Sequence, residues 1–290
     1  MKEFPTAPPL PSELILIKDR RLVRLDEILS QIAPFKKLAI AFSGGLDSRF
    51  LSFAAASLGY RVKLFNIRGP HIAQAESEEA RAWAQKQGLE LQSFYIDPLK
   101  NEKVAFNSPD RCYFCKKELF SFLLEKAKEL PLCDGTNHSD LSHYRPGLRA
   151  LEELGIRSPL AEAGLSKQDN REVGALLGLD RCEQAALPCM LTRVPYNQRV
   201  NAQELKSIAE AETELTRLFE ALGRGPMRFR LRKVSADSFE LHIFREDYAK
   251  LTKSEIQKAT RILAKHPGVN PTAWVSCEKL SGYFDRRANL

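Results

Sequence analysis

Apolar positions along this chain change their period several times, and the changes mark out the elements. Lys36 to Phe42 reads as a short buried strand, whereas Leu46, Phe50, Leu51 and Ala54 recur at helical spacing, so residues 43–45 join a strand to a helix. Strand-like runs follow at RVKLFNI (61–67), LELQSFYID (89–97) and LPLCDGTN (130–137), separated by helical stretches over 46–58, 73–88 and 114–129. A proline-bearing amino-terminal arm leads into a helix over 11–32, and further helices are predicted over 166–178 and 201–222. This alternation predicts an α/β fold with a parallel sheet flanked by helices. From about residue 198 the texture changes: MRFRLRKVSADSFELHIF alternates like a hairpin, a helix is predicted over 253–265 and a last strand at AWVSC. Residues 1–197 therefore read as the α/β domain and 198–290 as a small carboxyl-terminal α+β domain.

In such sheets ligands bind at the carboxyl ends of strands, here the turns carrying Ser43 to Ser48, Asn66 to Arg68 and Asp134 to Asn137. The first of these reads S-G-G-L-D-S. Gly44 and Gly45 let backbone amides approach a ligand closely, and the opening helix adds partial positive charge, a combination that suits phosphate. Ser43 and Ser48 supply hydroxyls, and Asp47 can hold Mg2+ or order the loop. The loop lacks the lysine and the longer arch of the GxxxxGK[ST] type. An ordinary glycine turn capped by Ser43 is the plain alternative.

Composition narrows the class. At 290 residues, 43% hydrophobic and 28% charged, the chain can bury a real core and divide into two domains. The amino terminus carries an acid and several prolines, which argues against a signal peptide, and no run of about 18 apolar residues exists to span a membrane. A cytoplasmic protein without a membrane partner is expected. Six cysteines, two of them in a CxxC pair, suggest reduced thiols or metal ligands more than a disulfide framework. The balance of 44 Lys+Arg against 37 Asp+Glu, a net +7, suits an anionic ligand such as a nucleotide and equally suits RNA.

SGGLDS resembles the PP-loop of ATP pyrophosphatases, which implies that Ser43, Gly44, Gly45, Asp47 and Ser48 hold the β and γ phosphates of ATP with Mg2+ while a substrate is adenylylated and pyrophosphate leaves. Three more stretches, NSPDRCYFCKKELF (107–120), DGTNHSDLSHYRPGLRAL (134–151) and RSPLAEAGLSKQDNREVGALLGL (157–179), together resemble the LarE family, and the likeness runs from about residue 15 to the end. That family comprises ATP-dependent sulfur transferases of nickel-pincer nucleotide biosynthesis. The resemblance implies that two carboxylates of pyridinium-3,5-biscarboxylic acid mononucleotide become thiocarboxylates, each adenylylated before sulfur is delivered. It places Asp134, Thr136 and Asn137 beside the nucleotide, and Arg145 and Ser158 near the active site. Asn137 as a turn cap and Arg145 in a surface ion pair are the plain alternatives.

PCMLTRVPY aligns Cys189 with the family's sulfur-bearing cysteine, followed by Arg193 and Tyr196. One class of members sacrifices this cysteine, leaving dehydroalanine. Another uses three cysteines to hold a 4Fe-4S cluster whose open iron carries extra sulfide, and Cys112, Cys115 and Cys189 could form that set, with sulfide or another compound as sulfur donor. A structural zinc completed by Cys133, Cys182, His138 or His143 is the alternative for the CxxC pair. Cys133 and Cys277 read as buried small hydrophobes, and Cys182 as a fourth ligand or a resolving thiol. Glu212, Arg228, Arg230 and Glu240 fall where the family places charged residues at subunit contacts of a homo-oligomer and around the substrate phosphate. Arg228 and Arg230 share a strand face, which a solvated surface would explain nearly as well. The family's W-D-K-P-like stretch reads Cys182, Glu183, Gln184, Ala185 here, and the acidic residue before the terminal G-Y reads Lys279.

Two other functions compete. A tRNA thiolase of the same fold would need a basic RNA-binding surface, whereas the positive charges here are interspersed with acidic runs such as AQAESEEARAW, so nucleic acid ranks second as a partner. A non-catalytic ATP-binding module with structural zinc would form neither AMP nor pyrophosphate.

Overall fold

The computed structural model describes residues 19–142, 146–184, 188–236 and 238–288. Helix α1 (Arg20–Ile32) starts where Asp19, in extended backbone, accepts a 2.8 Å hydrogen bond from the Arg21 amide. Of the helix predicted over 11–32, the part from Arg20 is helical, and residues 11–18 lie outside the described residues. Leu22, Leu25 and Leu29 follow one stripe and are fully buried, each contributing about 1.5–3 kcal/mol.

Strand β1 (Lys37–Ala41) leads into helix α2 (Leu46–Ser57), then β2 (Arg61–Arg68), α3 (Gln74–Lys86), β3 (Glu90–Tyr95), α4 (Arg111–Ala127) and β4 (Leu132–Cys133). The four strands are parallel in the order β3-β2-β1-β4. Because successive side chains of β1 point to opposite faces, Leu38 and Ile40 enter one core with Leu25, Leu51 and Leu64, and Ala39 enters the other with Phe65, Phe120 and Leu123. Burial on both faces explains why β1 reads as a continuous apolar run rather than an alternating one.

The predicted strand over 130–137 contracts to two residues. Cys133 still bridges to Arg157, but the Asp134 amide donates to the Arg157 carbonyl at 3.0 Å, and the chain then turns on side-chain bonds of its own. Helix α5 (Lys167–Leu176) follows a capping box of Ser166 and Asp169, and α6 (Ala202–Ala221) starts at Asn201, whose side chain accepts from the amides of Gln203 and Glu204. The second sheet holds β5 (Phe229–Ser235), β6 (Ser238–Phe244) and β7 (Ala273–Cys277). β5 and β6 form the expected hairpin, while β7 pairs parallel to β6, which requires the crossover that α7 (Lys253–Leu263) supplies.

The architecture is thus mixed α/β, a parallel four-stranded sheet flanked by helices plus a separate small mixed sheet. By contacts the chain divides into one unit of Met1–Gly69, Glu76–Ile96 and Cys112–Leu187, and another of Pro70–Ala75, Asp97–Arg111 and Pro188–Leu290. The carboxyl-terminal part of the second unit therefore begins at Pro188 rather than at residue 198, and the unit also takes the two segments that follow β2 and β3 in the chain. Among the described residues no helix is long and apolar enough to cross a membrane.

Candidate functional site

In the first unit the loop after β1 has the form of a phosphate cradle. Gly44 has φ +79°, and a Cβ there would lie 2.7 Å from the Ala80 Cβ, so backbone conformation and close approach both demand glycine. Gly45 caps α2 with extended backbone, and no side chain caps the first turn. The first-turn amides, which lack intrahelical partners, are thus left to an anion. The Ser43 hydroxyl accepts from the Gly45 amide at 3.3 Å and lies 3.2 Å from the Ser48 hydroxyl, which donates to the Gly45 carbonyl at 3.0 Å. Gly44→Ala should cost about 2 kcal/mol or more in urea unfolding. Gly45→Ala, at φ −72° and with nothing nearer than the Ser43 Oγ at 3.4 Å, should cost under about 1 kcal/mol.

Asp47 projects from the first turn of α2. Its Oδ1 accepts from the fully buried Asn170 at 2.9 Å, and its Oδ2 lies 3.7 Å from the Lys167 ammonium. The turn after β4 packs on the same helix start, since a Cβ at Gly135 would meet the Ser48 amide nitrogen at 2.9 Å. Beside it Asp134 accepts from the Ser158 hydroxyl and the Thr136 hydroxyl, both at 2.6 Å, and from the Thr136 amide at 3.1 Å, with the Lys116 ammonium at 4.0 Å. Asp134, Thr136 and Ser158 are thus one hydrogen-bonded group. Asn137 is fully buried, and neither polar atom of its amide has a partner among the described residues; the same holds for Asn66 Oδ1 and Asn170 Oδ1. Buried orphan atoms in such a turn are what a polar ligand would satisfy. Arg145 lies outside the described residues.

In the second unit Cys189 stands at the start of a short helical turn, Met190–Arg193, and its carbonyl accepts from the Thr192 amide at 3.0 Å and the Thr192 hydroxyl at 2.8 Å. Arg193 is buried and holds Glu212 through two bonds, Nε to Oε1 at 3.0 Å and Nη2 to Oε2 at 2.8 Å. The same Oε1 accepts from the Leu231 amide at 2.7 Å, which anchors β5 to α6. Burial opposes ionisation of Glu212, but Arg193, then Arg230 and the Leu231 amide, outweigh it and hold the carboxyl below its ordinary range. Tyr196 donates to Asp285, and the Arg111 guanidinium stacks on its ring at 4.5 Å.

Arg228 has acidic partners of its own. It lies just ahead of β5 and gives its guanidinium to Asp247 at 2.8 Å and Glu246 at 3.1 Å, over the Phe244 ring. The residue that continues Arg230's face is Arg232. Arg230 stands opposite His242 and Arg232 opposite Glu240, so all four share one side of the hairpin, where Glu240 and His242 Nε2 lie 2.7 Å apart. Arg232 is 4% exposed, and its Nε and Nη1 have no partner among the described residues. Burial, followed by the charges of Arg193 and Arg230, pushes it down to about 10, still protonated at neutral pH. The period-two argument that singled out Arg228 and Arg230 reaches Arg232 when carried one step further.

No family model matches the chain. Among curated proteins, an uncharacterized protein of Synechocystis is 35% identical over 199 residues, 67% of this chain and 74% of the relative. Another, from Methanocaldococcus jannaschii, is 35% identical over 196 residues, 67% of this chain and 75% of the relative. Pyridinium-3,5-bisthiocarboxylic acid mononucleotide synthase of Lactiplantibacillus plantarum is 30% identical over 196 residues, covering 66% of this chain and 71% of that protein. The chain belongs to the LarE family. The cysteines differ in environment. Cys112 and Cys115 sit three apart in the first turns of α4, where they share a face; Cys112 is exposed, Cys115 buried and Cys189 half-buried. Two thiolates on one helix face suit iron–sulfur ligation chemically. Among the described residues no three His, Cys, Asp or Glu side chains form a group that could hold a metal ion. His143, a candidate zinc partner, lies outside the described residues.

Cys133 behaves as a buried small hydrophobe, its thiol pushed up to about 12 by burial. Cys277 is only half-buried, and its thiol donates to the Ile243 carbonyl at 3.3 Å across the β6–β7 pair. The Cys182 thiol donates to the Leu179 carbonyl at 3.0 Å, and burial raises it against the opposing charge of Arg49. Arg49 itself, 2% exposed, binds the Asp180 and Arg181 carbonyls at 3.3 and 3.1 Å and the Gln184 side chain, so Gln184, one residue of the departing stretch, has a buried partner. Lys116, Lys167, Asn170 and Arg232 were not singled out by sequence. The first three lie inside quoted motifs, but nothing local marks which neighbours face a ligand.

Proposed function

We propose that this LarE-family chain is an ATP-dependent sulfur transferase acting on a carboxylate of pyridinium-3,5-biscarboxylic acid mononucleotide. The observation that carries this reading is the phosphate loop, with its left-handed Gly44 and uncapped helix start. The Ser43 to Ser48 amides and hydroxyls hold the β and γ phosphates, and Asp47, oriented by Asn170, holds Mg2+, which binds through one or two carboxylates and phosphate oxygens. An acceptor carboxylate oxygen attacks the α phosphorus, pyrophosphate leaves, and the resulting acyl adenylate has AMP as a good leaving group. Asp134, Thr136, Asn137 and Ser158 position the nucleotide. Arg230 and Arg232, with Arg193 and Glu212 behind them, hold the acceptor's phosphate, Arg232 in the place first assigned to Arg228.

Sulfur comes by one of two routes. In the first, Cys112, Cys115 and Cys189 hold a 4Fe-4S cluster, which when bound supplies an open iron for sulfide. In the second, the Cys189 thiolate attacks the acyl carbon and displaces AMP; loss of the Cα proton then breaks the Cβ–S bond, leaving a thiocarboxylate and dehydroalanine. The three-cysteine count favours the first. Anaerobically reconstituted protein should be brown, and each of Cys112→Ala, Cys115→Ala and Cys189→Ala should lose iron and repeated turnover with sulfide. An iron-free, colourless protein that makes one thiocarboxylate per chain and loses the mass of hydrogen sulfide at Cys189 decides for sacrifice. Absence of pyrophosphate release with ATP and acceptor overturns the reading as a whole.

A further inference from the structure

The segment that follows Cys189 is not held by a secondary-structure ladder, yet its carbonyls converge on one side chain. Asn107 Nδ2 lies 2.8 Å from the Val194 carbonyl, 2.9 Å from the Pro195 carbonyl and 3.3 Å from the Leu191 carbonyl. Asn107 is fully buried and has φ +50°, a left-handed backbone that asparagine tolerates better than most residues. Its own carbonyl accepts from the Asn197 amide at 3.2 Å, so the contact is made by side chain and backbone together. Upstream, the Met190 amide, next to Cys189, donates to the His71 carbonyl at 2.9 Å, and downstream the Val200 amide donates to the Ala105 carbonyl at 2.7 Å. All of these residues belong to the second unit.

We infer that Asn107 is the positioning residue of the sulfur-delivering segment: its amide fixes the backbone of Leu191 to Pro195, and through it the place of the Cys189 thiol. This rests on the proposed role of Cys189 in sulfur transfer. An amide group has two N–H donors, and here both are spent on backbone carbonyls of a turn outside any ladder, those of Val194 and Pro195 being nearest. The arrangement matters for chemistry because a nucleophile displaced by a fraction of an ångström loses its line of attack, while adenylylation by the phosphate loop does not depend on it.

The test compares the full-length wild type with Asn107→Asp, which keeps shape and left-handed tolerance but offers no donor when ionised, and with Asn107→Gly, which removes the side chain while accepting the same backbone. Pyrophosphate release and thiocarboxylate formation are measured together, with melting temperature as the folding control. Sulfur transferred per pyrophosphate should fall at least about tenfold in both variants, because the adenylate forms and is hydrolysed instead. In Asn107→Asp the ratio should recover as the pH falls, since a protonated carboxyl regains one donor; a purely structural defect would not recover this way. An unchanged ratio, with both activities intact or falling in parallel, would overturn the inference. If the wild type transfers no sulfur, the proposed function fails instead, and alkylation of Cys189 relative to Cys277, read by peptide mass spectrometry, still decides: it should rise in both variants at unchanged folding, and equal rates refute Asn107.

Discussion

Asp47→Asn is expected to abolish pyrophosphate release, by a factor of at least about 10², while leaving the fold intact. The carboxylate sits on the first turn of α2 at the phosphate cradle, and its charge has no replacement there: Lys167 at 3.7 Å and Asn170 at 2.9 Å are both donors. The asparagine side chain keeps an acceptor for the Asn170 amide, and the lost ion pair with the partly exposed Lys167 is worth at most about 1 kcal/mol. Stability and activity should therefore separate. Asp47→Ala should lose the same activity and also about 1–3 kcal/mol, because the buried Asn170 amide is left without its acceptor. Pyrophosphate release at the wild-type rate by folded Asp47→Asn would remove the carboxylate from the reaction.

The second large effect lies in the small domain. Glu212→Gln should destabilise it by about 3–5 kcal/mol, because Arg193 would remain buried without its counter-charge. The glutamine can still accept from the Leu231 amide, so the loss reports the charge and not the anchoring bond. The pH dependence has a definite sign. Glu212 is held below its ordinary value of 4.5, so the stabilisation is present at neutral pH and is lost as the pH falls through the depressed folded value. The difference between wild type and variant should therefore be widest near neutrality and shrink in acid. Urea unfolding followed by Trp274 in β7, in a Trp83→Phe background, reads this unit. Coincident curves at pH 7 would mean that the pair contributes nothing net.

The elements of this chain were legible wherever their signals are local. β1 and α2 are bounded by a change of period at Gly44 and Gly45, and α5, α6 and α7 open at side chains that cap their own first turns. The phosphate cradle belongs with these, because a left-handed glycine and an uncapped helix start lie within six consecutive residues. β4 was overextended because Asp134 takes its backbone partner from Arg157, 23 positions later, and no pattern within 130–137 announces that.

The sequence by itself thus determined the α/β class and the glycine turn that joins β1 to α2. Only the tertiary structure decided that Arg232 is buried on the face it shares with Arg230, which carboxylate Arg193 neutralises, and that Asn107 holds the turn after Cys189. Periodicity and caps act between residues a few positions apart, so they leave a trace in the order of side chains. A buried guanidinium or amide takes whichever partner the folded chain brings within about 3 Å, and that choice is made by packing across tens of residues.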